Sequence, residues 1–142
     1  MKGNKGFTIV EMLIVIVIMA ILATVAVPNI ISWRANATLS GDTRTLKADF
    51  ELARSTAIKN NTTATITFDT GNNRYSITSG GDTVLSRNLT NTSIIGTALA
   101  VTGNETIFDS RGRTDNTGNV TLSNGSRNTK VSISMIGSVR VN

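Results

Sequence analysis

"KGNKGFTIVEMLIVIVIMAILATVAVP" (residues 2–28) places a carboxylate, Glu11, just before a long apolar run. From Met12 to Val27 every residue is apolar except Thr24, and with residues 7–11 the segment is 21 residues long. A transmembrane α-helix needs about 20. Lys2 and Lys5 precede the run and no acid does, so the positive-inside bias predicts a cytoplasmic N-terminus and export of the remainder. A secretory signal peptide fits poorly, because its best cleavage candidate, Thr24-Val25-Ala26, runs at once toward Pro28. A plain membrane anchor fits the length and leaves Glu11 unexplained. A third reading puts a cut before the apolar run.

Composition narrows the chemistry. The 142 residues suit one domain with an appendage. There is no Cys and no His, which removes thiol nucleophiles, His bases, disulfides and most transition-metal sites. Ser and Thr are plentiful but have no His partner, and no paired carboxylates form a catalytic pattern, so no enzyme and no cofactor is expected. Aromatics make up 4%, and after residue 60 Thr, Asn, Ser and Gly dominate, which favours short strands joined by polar turns.

The segment "KGFTIVEMLIVIVIMAILATVAVP" (5–28) resembles the N-terminus of type IV prepilins and of the pseudopilins of type II secretion. The resemblance implies a leader, residues 1–6, removed after Gly6 by a prepilin peptidase on the cytoplasmic side. It also implies N-methylation of the new N-terminal residue, Phe7. Glu11 becomes the fifth mature residue, and Pro28 falls where many members carry a helix-disturbing proline. Implied partners are other pilin or pseudopilin subunits and an inner-membrane assembly platform. The implied location is the bacterial inner membrane, single-pass with an extracytoplasmic head, and then a pilus or pseudopilus.

Glu11 has two explanations at this point. It lies about 6 Å along a helix from Phe7, near enough to an end to snorkel to the interface. The family suggests instead a pairing with the N-terminal amine of a neighbouring subunit, because a buried charge is tolerable only when compensated.

Beyond Pro28, residues 29–60 predict an amphipathic helix. Pro28 predicts a kink or loosening. Leu46, Phe50, Ala53 and Ala57 form an apolar stripe at spacings of three or four, with Arg44, Lys47, Asp49, Glu51 and Arg54 mostly off it. Gly41 is a weak point, and Asn60-Asn61 a reasonable stop. In residues 61–142, alternation predicts strands at 63–68, 74–78, 105–108, 119–122, 130–135 and 138–141, with two short candidates inside 79–104. The expected fold is α+β: a long N-terminal α-helix packed on an antiparallel β-sheet head, the pilin fold, with residues 7–28 as the hydrophobic transmembrane or filament-core half.

"FDSRGR" (108–113) followed by "VTLSNGSRNTKVSISMIGSVRV" (120–141) is similar to the GspH/FimT branch of minor pilins and pseudopilins. That branch implies a subunit that helps initiate or cap filament assembly. It also implies an alternative, DNA binding for uptake in natural transformation, through a C-terminal Gly-Arg-x-Arg element. This chain has Gly137-Ser138-Val139-Arg140, which keeps only the second arginine. Arg111, Arg113, Arg127, Lys130 and Arg140 crowd the last 32 residues against the single acid Asp115, a pattern that can hold phosphates by charge. A solvated basic sheet edge that discourages edge pairing is the plainer reading. The turns "DTGNN" (69–73) and "DNTGN" (115–119) carry one carboxylate each, fewer than tight calcium sites gather, so no metal is expected.

Overall fold

The structure, a computed structural model, describes residues 6–99, 104–114 and 117–142. Asp115 and most of the leader therefore lie outside the described residues. The chain divides into two units, one ending at Arg34 and one comprising Ala35–Asn142, and the helix α1 (Ile9–Lys59) contributes to both.

In the first unit every described residue is exposed. An 18-residue window of α1 has a mean hydropathy of 2.9 and none of it is buried, so by length and composition this helix can cross a membrane. α1 is continuous through Pro28. Proline lacks the backbone donor that a helix uses at that position. Nearby, Asn29 Nδ2 donates to the Val25 carbonyl (3.2 Å) and Ser32 Oγ to that of Pro28 (3.0 Å).

The second unit begins where helical burial begins. Leu39, Thr43, Leu46, Asp49, Phe50, Ala53 and Ala57 form the buried face of α1, the predicted stripe extended by about two turns toward the N-terminus. The helix ends in a Schellman motif. Asn61 takes the left-handed conformation (φ 49°), its N–H donates to the Ile58 carbonyl (3.2 Å), and that of Thr62 donates to the Ala57 carbonyl (3.1 Å). The stop expected at Asn60-Asn61 thus has a defined geometry.

Among the described residues eight strands follow: β1 (Ala64–Asp69), β2 (Arg74–Ser79), β3 (Asp82–Asn88), β4 (Ser93–Leu99), β5 (Glu105–Phe108), β6 (Gly118–Ser123), β7 (Asn128–Ile133) and β8 (Val139–Val141). They form two four-stranded antiparallel sheets where one was expected. Sheet A has the order β3-β2-β1-β5 and sheet B the order β4-β6-β7-β8. The two short candidates within 79–104 are the full strands β3 and β4. One core unites both sheets with α1: Ile66, Phe68, Tyr75, Ile77 and Phe108 from sheet A, and Val120, Leu122, Val131 and Ile133 from sheet B. Phe50 meets Phe68 at 5.9 Å and Phe108 edge-on at 6.4 Å between ring centroids, the spacing that aromatic pairs favour.

Asp49 is the exception to the expectation that the charges of α1 lie mostly off the apolar stripe. It is 4% exposed and accepts bonds from Tyr75 Oη (2.6 Å) and Arg87 Nε (2.5 Å). Burial first, and the bond to Asp49 second, raise the Tyr75 pKa, so the hydroxyl stays a donor. A buried carboxylate is tolerable when paired and hydrogen-bonded in this way.

Candidate assembly segment and basic surface of the head

The N-terminal residues assemble from local chemistry. Gly6 and Phe7 precede the helix, and both are exposed. Thr8 is the N-cap of α1 and Glu11 the third helical residue. The Glu11 backbone N–H donates to Thr8 Oγ1 (3.2 Å), while Glu11 Oε2 accepts both the Thr8 N–H and the Thr8 hydroxyl, each at 2.8 Å. This reciprocal pattern is a capping box, which satisfies donors that a helix start leaves unpaired. The carboxylate also lies at the positive end of the helix dipole. Thr8 has no role in the sequence-based expectation, although Thr-x-x-Glu before an apolar run is the signal that finds it. Both bonds from Thr8 end on Oε2, and a carboxylate has a second oxygen with acceptor capacity of its own.

The basic residues do not form one cluster. Arg111 and Arg113 lie on the connection between β5 and β6, where Asp109 organises the turn. Its Oδ1 accepts the N–H groups of Arg111 (2.9 Å) and Arg113 (2.8 Å), and its Oδ2 accepts Arg113 Nε (3.1 Å) and Nη2 (3.0 Å). These bonds, the Arg113 backbone first, hold the Asp109 carboxyl below the usual carboxylate range. The connection then touches the β7–β8 turn, where the Thr114 N–H donates to the Met135 carbonyl (3.0 Å). Met135 and Ile136 stand exposed at that turn. Both residues line two grooves, one that also includes Arg113 and one that also includes Arg140.

Lys130 and Arg140 share the outward face of sheet B. Val131 and Ile133 point inward, and Arg140 pairs with the outward Ser132. Arg127 is elsewhere, in a polar groove with Ser40, Thr43 and Arg44 of α1 and the C-terminal Asn142. Arg44, read from sequence only as a charge off the apolar stripe, is not among the basic residues expected to hold phosphates. It is 83 positions from Arg127 in the chain and only the fold unites them.

The turn "DTGNN" uses its carboxylate internally. Asp69 accepts the Asn72 N–H (3.1 Å), Asn72 Nδ2 (2.8 Å) and Arg74 Nε (2.9 Å), the work of a turn-former. These bonds, the Asn72 side chain first, lower the Asp69 pKa. Among the described residues no group of three or more acidic side chains is gathered as for a metal.

Known proteins match both parts of the chain. Residues 42–137 match the family model described as type II transport protein GspH, and residues 1–27 match the prokaryotic N-terminal methylation motif. The type IV wide pilus major component PilA4 of Thermus thermophilus is 54% identical over 37 residues, which cover 26% of this chain and 28% of that protein. The type IV major pilin PilA of Myxococcus xanthus is 40% identical over 52 residues, covering 37% and 24%. The chain thus spans about a quarter of the length of these curated relatives. The fold is that of the type IV minor pilin FimU of Pseudomonas aeruginosa. Two crystal forms align with TM-scores of 0.58 and 0.59 at 14% and 16% identity, covering 72% and 75% of this chain and 91% and 90% of that one. Pilins and pseudopilins are structural subunits rather than enzymes. A long N-terminal helix, an antiparallel β head, a methylation motif and a GspH match over most of the head together mean that this chain belongs to the GspH family of pilin-like minor pilins and pseudopilins.

Proposed function

We propose that this chain is cut after Gly6 by a prepilin peptidase, methylated at Phe7, and built into a filament through its apolar helix, helping to initiate or cap assembly. The observation that carries this reading is that Thr8 fixes the Glu11 carboxylate at the start of a helix whose residues up to Arg34 are all exposed. An apolar surface of that extent requires a cover. In the inner membrane lipid supplies it; in a filament, the same segments of neighbouring subunits supply it. A carboxylate carried into such a bundle needs a cation, and the new amine of an adjacent subunit, taken up by Oε1, is of the right charge and class. Residues 7–28 and 29–60 then act as the buried half of the filament helix and the head-bearing half, with an assembly platform as the membrane partner. N-terminal mass spectrometry of membrane-extracted protein tests the processing: a terminus at methylated Phe7 supports it, and retained Met1 or a terminus near Val27 overturns it.

A second reading, DNA binding during uptake, draws on Lys130 and Arg140, which share one sheet face, with Arg113 at the neighbouring turn. Phosphate contacts by such residues would give binding that weakens steeply with salt. Against it, Arg113 is engaged by Asp109. Titration of residues 35–142 with duplex DNA at low and moderate salt separates the two. Absence of binding at low salt ends the DNA reading, and its loss in Arg140→Gln supports it.

A further inference from the structure

Between Glu11 and Arg34 the chain carries no charged residue, a stretch of 22 residues from Met12 to Trp33. At 1.5 Å per residue this spans roughly 33 Å, close to the hydrocarbon thickness of about 30 Å. The apolar run therefore does not stop functionally at Pro28. Ile30, Ile31 and Trp33 continue it, and Trp33 is 70% exposed. The polar side chains in the stretch turn back on the helix itself. Thr24 Oγ1 donates to the Ile21 carbonyl (2.7 Å), Asn29 Nδ2 to that of Val25 (3.2 Å), and Ser32 Oγ to that of Pro28 (3.0 Å). Internal satisfaction of this kind is what a helix in hydrocarbon requires, because no water is there to accept or donate. It extends as far as Ser32. The next residues are a tryptophan and an arginine, and helical burial in the head begins at Ala35.

We propose that Trp33 and Arg34 form a docking site for the lipid headgroup region on the face of the bilayer opposite Glu11. The Trp33 ring lies at the boundary between acyl chains and headgroups, and Arg34 extends toward the phosphates. Tryptophan is enriched at this depth because its ring is apolar and its N–H polar, and an arginine beside it keeps its charge at the interface while its stem stays apolar. This placement rests on the membrane-anchored reading. It puts Pro28 inside the bilayer by five residues, roughly 7 Å, and puts Thr8 and Glu11 at the other interface. Entry into a filament then requires Trp33 to leave its lipid site.

Trp33 is the single tryptophan of the chain, so its own fluorescence reports its depth. The full chain is reconstituted in phosphatidylcholine–phosphatidylglycerol vesicles brominated either near the headgroup end or near the terminus of the acyl chains, and flotation is scored first. The expected result is blue-shifted emission, quenched more by the shallow bromines than by the deep ones. A Trp33→Leu/Leu22→Trp variant, with its reporter near the middle of the stretch, should show the reverse order and calibrates the scale. Stronger quenching of Trp33 by deep bromines overturns the proposal, as does unquenched, water-like emission from protein that floats. If the chain does not float and the Leu22→Trp reporter is unquenched, the membrane-anchored reading fails, and the docking site with it.

Discussion

Tyr75 donates its hydroxyl to the carboxylate of Asp49 over 2.6 Å, and this bond ties β2 to α1 inside the core. Arg87 from β3 reaches the same oxygen at 2.5 Å. Its side chain is 43% exposed against 6% for Asp49, so the arginine carries solvent contact to a carboxylate that has little of its own.

Asp49→Ala should lower the stability of the head by about 1–3 kcal/mol, because the Tyr75 hydroxyl would be left buried without an acceptor. Arg87, half in water, loses less. Tyr75→Phe should cost less than Asp49→Ala, since Asp49 keeps Arg87. Denaturant unfolding of residues 35–142 measures the order, and a Tyr75→Phe variant weaker than Asp49→Ala would contradict it.

Replacing Glu11 with Val should leave membrane association intact and reduce recovery in sheared filaments more than about tenfold, as a loss above about 1.4 kcal/mol per subunit contact would give. Thr8→Val removes the cap, worth about 1 kcal/mol of helix stability, but keeps the charge. It should therefore retain most assembly. Equal defects in the two variants would make helix capping, not intersubunit pairing, the purpose of Glu11.

Gly137 has φ 74°, and a Cβ there would meet the carbonyl oxygen of Gly112. Gly137→Ala should cost about 2 kcal/mol or more, combining left-handed strain with a backbone clash. Gly125 also has positive φ (86°) but open space around it, so Gly125→Ala should cost only about 1 kcal/mol. Thermal unfolding of the two variants separates strain from steric contact.

Asp69 and Asp109 are held below the usual carboxylate range by donors from their own turns. A depressed folded-state pKa stabilises the fold above the unfolded-state value of about 3.9. That contribution is lost as pH falls through the folded-state value. The acid limb of unfolding should therefore become shallower in Asp109→Asn and Asp69→Asn, while the variants at pH 7 lose charge-assisted turn bonds. Melting temperatures followed from pH 7 downward check both signs.

Much of this fold was legible in the chain. The spacing of Leu46, Phe50, Ala53 and Ala57 located the buried face of α1, and Asn60-Asn61 located its end, because both signals are local. Six strands followed from alternation. β3 was legible only as a fragment, since most of its side chains are exposed and an edge strand has little inward pattern to read. The Thr8–Glu11 box was present as a spacing and was hidden by the apolar run around it.

The sequence by itself determined the apolar N-terminal helix, its charged start and a β head, since each depends on residues a few positions apart. Tertiary structure alone decided that the strands divide into two sheets, that Asp49 is buried, and that Arg44 joins Arg127 while Arg113 and Arg140 each line a groove with Met135 and Ile136. Asp49 meets partners 26 and 38 positions away. Such long-range pairings follow from burial of both sheets against one helix face, a property of the packed chain that no local pattern encodes.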